Sequence, residues 1–248
     1  MTDLRQHQLM AFESLKQLDQ IFKEAKIPYY LIAGTALGAL REGGFIPWDD
    51  DIDIAIAYED MDRAEQALMK GITAPFTYIS VNTDPHFPRL HPKILHEGRN
   101  CIDVFPLVRV PDSQFLCKIQ WLIRKVTWKL YSRKIGYLHE KENKLFVAIS
   151  RPLAAMFSAK TILKIADWNC RRYAGKKTQR FINMYSVYSM EKEMIRCEYV
   201  EHPGTISFEG QEFPTLGNLD GYLTHLYGSD YMTPRPPKDG VTGHEELF

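Results

Sequence analysis

What this chain lacks narrows its reading first. No stretch approaches the roughly twenty consecutive apolar residues that a membrane-spanning helix needs. The first residues, Met1 to His7, carry no apolar signal core, so export is not expected and a cytoplasmic setting is. Cysteine is scarce: Cys101, Cys117, Cys170 and Cys197 lie far apart and form no Cys-x-x-Cys pair. That spacing supports neither a disulfide framework nor a zinc site and is read as four reduced thiols. There is no internal repeat and no low-complexity linker. With 248 residues, 45% of them apolar, the chain can bury one substantial core, and a single domain with a helical appendage is expected.

Net charge is also absent, because 31 basic and 31 acidic side chains cancel, but the cancellation hides a segregation. Residues 1–110 hold 11 basic and 16 acidic side chains, 118–180 hold 16 and 3, and 181–248 hold 4 and 11. The middle is therefore a cationic module. Ile119, Leu122, Ile123, Val126 and Leu130 recur there at helical spacing among Lys118, Arg124, Lys125, Lys129, Arg133 and Lys134. Such a helix could meet an anionic membrane surface, bind an anionic glycan, or simply solvate its outer face. Nucleic acid is not expected as a partner, since no nucleic-acid-binding motif accompanies the charge.

The most informative stretch that is present runs Ile46-Pro47-Trp48-Asp49-Asp50-Asp51-Ile52-Asp53-Ile54-Ala55-Ile56. Strand side chains alternate faces, so Asp51 and Asp53 project to one side while Ile52, Ile54 and Ile56 project to the other. Two carboxylates packed together repel unless a cation neutralises them, and oxygen ligands at this density suit Mg²⁺ or Mn²⁺. The bland alternative is an acidic surface turn that feeds a strand. Upstream, the Tyr29–Ala33 strand pattern, the Gly34-Thr35 turn and a helix from Ala36 to Arg41 make an anion site. Gly34 would let backbone approach a phosphate, the Thr35 hydroxyl could cap or donate, and helix N–H groups favour negative charge. Arg41 could add a forked contact to phosphate. Lys93 is a second candidate phosphate charge. For both cations, plain surface charge remains open.

Asp103 is a lone acid in the apolar run Cys101-Ile102-Asp103-Val104-Phe105 and needs a partner if buried. A metal shared with Asp51 and Asp53 would provide one. A salt bridge to Arg99 or Arg109 would provide another. Periodicity places an amphipathic helix over Leu4–Lys26, strands near 29–33, 51–57, 76–80, 90–95 and 101–105, and a helix near 59–70. About three helices follow in 113–173, then short strands near 205–213, a helix near 217–228, and the Pro-rich tail Pro234 to Pro237.

The run from Gly34 through Ile54 closely resembles the signature of the LicD family, which includes bacterial phosphocholine transferases and the fukutin-related proteins. The match extends to Ile102-Asp103-Val104-Phe105-Pro106-Leu107, to Phe208-Glu209-Gly210, and to the segment from Tyr222-Leu223 through Met232. The resemblance implies an α/β (α+β) fold with a nucleotidyltransferase-like mixed sheet, flanking helices and a basic helical insertion. Residues 1–110 would form the catalytic core, 111–180 the basic helical segment, and 181–248 the part that completes the same domain. In the wider superfamily a Gly-Gly or Gly-Ser turn precedes an acid-hydrophobic-acid strand and a third acid. Gly34-Thr35, Asp51/Asp53 and Asp103 match these, with Thr35 keeping the hydroxyl.

The implied activity is transfer of phosphocholine, or a related phospho-alcohol such as ribitol phosphate, from a CDP-linked donor to a sugar of a cell-surface glycan, teichoic acid or lipopolysaccharide. Asp51, Asp53 and Asp103 would be the catalytic and metal-binding acids, with Gly34, Thr35, Arg41 and Lys93 on the donor. CDP-choline is the expected donor, and Trp48, Tyr222, Tyr227 and Tyr231 are candidates for a choline cage. The basic segment would bring the enzyme to a lipid-linked acceptor at the inner membrane face. Two other classes stay open: a nucleotidyltransferase acting on a small molecule or protein, and a non-catalytic glycan- or membrane-binding protein.

Overall fold

The computed structural model describes residues 3–137 and 144–236, with only the backbone over 144–149. Met1 and Thr2, residues 138–143 of the basic segment, and 237–248, which include Pro237 of the Pro-rich tail, lie outside the described residues.

The sheet is organised around two parallel strands, β2 (Ile52–Ala57) and β5 (Arg99–Val110). Their residues are sorted by face. Ile52, Ile54 and Ile56 are fully buried in a layer with Leu15, Leu18 and Phe22 of α1 (Asp3–Ala25) and with Ala64 and Leu68, on a helix described below. Ala55 points to the other side, where it meets Tyr30, Leu37 and Leu107. The acids of this stretch share that second face.

Around the pair the sheet is mixed. β1 (Tyr30–Leu31) is antiparallel to β2; α2 (Ala33–Glu42) follows β1, and α3 (Met61–Gly71) follows β2 and carries Ala64 and Leu68. β3 (Phe76–Ile79) and β4 (Lys93–His96) extend the sheet antiparallel beyond β5. β5 itself changes partners along its length, pairing β4 through Asp103 and then β6 (Arg180–Asn183) from Leu107. Pro106, which has no N–H to give a ladder, falls at this hand-over. β7 (Met194–Arg196) pairs β6 and leads into the short α7 (Cys197–Glu201). The hairpin of β8 (Gly204–Phe208) and β9 (Gln211–Thr215) returns to the sheet, with β9 parallel to β1. The last described helix, α8 (Leu219–Tyr227), packs Tyr222, Leu223 and Leu226 under α2. The nine-stranded mixed sheet with flanking helices is the α/β class read from the sequence.

Two differences are physical. The helix expected from Ala36 begins at Ala33, so Gly34 and Thr35 are part of its first turn. The basic segment forms α4 (Gln114–Lys134), α5 (Lys144–Ala155) and α6 (Ala159–Arg171), and the apolar stripe read on α4 is split, with Leu130 buried, Ile119 and Ile123 partly buried and the rest exposed. Cys117, Trp121 and Tyr131 are buried, Cys117 and Trp121 against the β5–β6 region, whereas Leu122 is 59% and Val126 44% exposed. All four cysteines are free and buried, and no described helix is long and apolar enough to cross a membrane.

Candidate active site

The register of β2 against β5 sets Asp53 directly beside Asp103, and Asp51 lies one residue before β2 on the same face. A carboxylate oxygen from each of the three falls within 4.8 Å of those of the other two. Asp51 and Asp103 are buried and Asp53 is partly so. β4 contributes the counter-charge. Lys93, opposite Asp103 in register and also buried, places Nζ 2.7 Å from Asp103 Oδ1. His91 Nε2 lies 3.7 Å from the other oxygen, and Asn100 Nδ2 donates to Asp51 Oδ2 at 3.0 Å.

Electrostatics follows from this packing. Burial, then the charges of Asp51, Asp103 and Asp49, raise the Asp53 pKa well above the ordinary carboxylate value, with Lys93 acting the other way. Burial would raise Asp103 too, but the Lys93 charge and His91 together outweigh it and hold that carboxyl well below its usual range. Burial pushes the His91 imidazole down, against the attraction of Asp103. One lysine against three carboxylates leaves an excess of negative charge in a nearly dry position. An all-oxygen donor set of this kind fits a divalent cation such as Mg²⁺ or Mn²⁺. Among the described residues the other group able to hold a metal is Asp49, Asp50 and Asp51, which shares a member with the first.

The alternative partners of Asp103 are taken elsewhere. Arg99 pairs with Asp3 at 3.0 Å, and Arg109 lies 3.4 Å from Glu59 and 3.9 Å from Glu201, so Lys93 fills the role that the sequence left to either arginine. Lys93 accordingly reaches the site as the partner of an acid. Thr35 likewise departs from its expected use. Its side chain is buried, and Oγ1 accepts the Asp53 N–H at 2.8 Å, so the hydroxyl fixes the acid strand against α2.

Gly34 borders the acids closely. A Cβ there would sit 2.8 Å from Asp49 Oδ2 and 3.9 Å from Asp53 Oδ2, occupying the space beside the first-turn N–H groups of α2. The preceding Ala33 has φ +47°, a left-handed conformation that costs about 1 kcal/mol for a residue with a Cβ. Tyr222 holds it there, its hydroxyl accepting the Ala33 N–H at 3.2 Å. Tyr222 is 2% exposed and does not line the cavity, which removes it from the candidate cage.

Above the acids opens a cavity of about 410 Å³. Arg41 lines it with its Nε on Glu42 and its buried Nη2 without a hydrogen-bond partner. Trp48, Tyr227 and Tyr231 form part of the wall, as anticipated, and Tyr188 joins them, its ring edge-on to Tyr227 at 6.1 Å. The sequence reading missed Tyr188, Glu193, Asn183, His91 and Asn100. Asn100 and His91 could have been suspected as polar residues next to apolar strand patterns, but the β6–β7 residues carry no local signal.

Residues 26–132 match the family described as LicD/FKTN/FKRP, nucleotidyltransferase domain. Over that span the chain is similar to the nucleotidyltransferase domain of the LicD family. The matched span contains all seven residues singled out from the sequence, while Tyr188, Glu193, Tyr227 and Tyr231 lie beyond it and finish the cavity. Similarity reaches further than the domain. Over 255 aligned residues, 97% of this chain and 96% of the other, the sequence is 26% identical to the lipopolysaccharide cholinephosphotransferase LicD of Haemophilus influenzae. It is 31% identical over 111 residues to an uncharacterized protein of Rickettsia typhi, covering 42% of this chain and 31% of the relative. A shorter stretch of 54 residues, 22% of this chain and 11% of the relative, is 39% identical to the human ribitol 5-phosphate transferase FKRP.

Proposed function

We propose that the protein is a divalent-metal-dependent phosphotransferase that moves phosphocholine, or a related phospho-alcohol such as ribitol phosphate, from a CDP-linked donor to a sugar hydroxyl of a cell-surface glycan such as lipopolysaccharide or teichoic acid. The observation that carries this reading is the convergence of Asp51, Asp53 and Asp103 at the floor of an aromatic-walled cavity. Similarity along almost the whole chain to an enzyme named as a lipopolysaccharide cholinephosphotransferase supports the choice of head group. A cytoplasmic setting goes with a CDP-linked donor.

In this reading Asp51, Asp53 and Asp103 hold the cation, which when bound would neutralise the donor diphosphate and the departing nucleotide. Gly34 leaves room for the diphosphate to approach the first-turn N–H groups of α2, whose partial positive charge favours anions. The spare Arg41 nitrogen is a further donor on the same wall. Lys93 keeps Asp103 anionic, so that it can orient the attacking hydroxyl as a hydrogen-bond acceptor. A quaternary ammonium is attracted to ring faces, and Trp48, Tyr188, Tyr227 and Tyr231 offer such faces.

A thermal-shift screen of CDP-choline, CDP-ribitol, CDP-glycerol and UTP with Mn²⁺ reads the donor directly, because a ligand that binds the folded state stabilises it according to affinity. CDP-choline should give the largest shift. CMP release from CDP-choline should then require Mg²⁺ or Mn²⁺ and fall by about a hundredfold or more in Asp53→Ala. The domain name itself favours a second reading, transfer of a nucleoside monophosphate to a small molecule or protein. Preference for UTP, with diphosphate released and labelled nucleotide retained on an acceptor, would replace the first reading with the second.

A further inference from the structure

A second cavity, of about 790 Å³, adjoins the first and shares Arg89, His91 and the 185–188 loop with it. Its far wall is α4, which presents Lys118, Arg124, Lys125 and Trp128. The two cavities differ in charge. The first is floored by carboxylates, while the second sets four cations, Arg89, Lys118, Arg124 and Lys125, against Glu191 as its one lining acid among the described residues. Arg124 is built into the structure. Its guanidinium stacks on Trp121 at 4.3 Å and donates through Nη2 to the Ser186 carbonyl at 3.0 Å, yet its buried Nε has no hydrogen-bond partner. Ser186 lies on the loop between the cavities, so this contact fixes the boundary between them.

We propose that the second cavity is the acceptor subsite, and that it takes a glycan bearing phosphate close to the hydroxyl that is modified. The proposal rests on the phosphotransfer reading and names the substrate class for it. Four cations against one lining acid, beside an acid-floored donor site, call for an anion that the donor does not supply. The half-buried Trp128 offers an aromatic face beside those cations, and such a face can lie against a sugar ring. In the transfer the acceptor oxygen forms the new P–O bond as the P–O bond to CMP breaks. CMP leaves with the bonding pair, and the hydroxyl proton passes to a carboxylate of the site and on to water.

The test compares wild type with a Lys118→Glu/Lys125→Glu variant; both lysines are exposed, so the fold should tolerate the exchange. The probes are a phosphorylated lipopolysaccharide core oligosaccharide, the same oligosaccharide stripped of phosphate by hydrofluoric acid, and CDP-choline with Mn²⁺, each titrated calorimetrically. Wild type should bind the phosphorylated oligosaccharide, and either removal of phosphate or the charge reversal should weaken that binding by about tenfold or more. CDP-choline affinity should be the same in both proteins. Equal binding of the two oligosaccharides, or unchanged affinity in the variant, would overturn the acceptor assignment. Failure of CDP-choline to bind either protein would instead count against the donor reading, while the oligosaccharide titrations still decide the groove.

Discussion

At the scale of single residues, the distribution of charge is the main constraint. Asp51, Asp53 and Asp103 were legible because acids at strand spacing or inside an apolar run demand an explanation. The partner of Asp103 was not, because which residue lies opposite it depends on the register of β4, set by contacts remote in sequence. Glu193 was illegible for a similar reason. It is 3% exposed, lines the first cavity and accepts a hydrogen bond from the Ser186 hydroxyl, yet its sequence neighbourhood is unremarkably polar. Burial pushes its pKa from 4.5 up to about 7, against the Ser186 bond and the Arg124 charge. The folded state therefore binds this proton more tightly than the unfolded state. Its stabilising contribution is complete below 4.5 and is lost as pH rises to about 7, a range worth roughly 3 kcal/mol. Urea denaturation of Glu193→Gln and wild type across that range should show the difference, with the variant losing less stability as pH rises. Parallel pH profiles would contradict the assignment.

At the scale of elements, segments with a clear apolar pattern declared themselves, including the short strands β1, β3 and β4, and those without one did not. α1, α3 and α8 lie close to their expected positions because each carries a buried stripe at helical spacing. β6 and β7 were missed: Arg180–Asn183 and Met194–Arg196 sit among charged and polar residues, and their pairing is set by the remote β5. The start of α2 was placed late because its first residue, Ala33, adopts a conformation that a helix pattern does not encode and that Tyr222 on α8 sustains. Tyr222→Phe removes the acceptor for the Ala33 N–H without changing the ring. It should cost about 1 kcal/mol of stability in thermal unfolding and weaken CDP-choline binding severalfold, through the turn that presents Gly34. Unchanged donor affinity in a destabilised variant would mean that the turn tolerates the loss.

On the scale of the whole molecule, the charge blocks of the sequence map onto distinct surfaces. The acidic first block supplies the cavity floor, and the basic block supplies α4 and the wall of the second cavity. The acidic third block returns to the same sheet through β9, whose Thr215 is paired with Leu31 and donates its hydroxyl to the Leu31 carbonyl at 3.0 Å. A chain cut after His202 keeps every candidate acid but loses β8, β9 and α8. It should show no cooperative thermal transition and no Mn²⁺-dependent binding of CDP-choline, as followed by circular dichroism and calorimetry. A cooperative transition in that fragment would mean that the first block folds alone.

The hydrogen bond from Ala33 to Tyr222 also orders events during synthesis. All three acids of the floor have left the ribosome once residue 103 is out, but the Ala33 N–H beside them has no acceptor on α8 until residue 222 follows. A nascent chain stalled in between displays a cluster of mutually repelling carboxylates with no finished cradle, so nucleotide should be captured only once residue 222 has emerged and folded back.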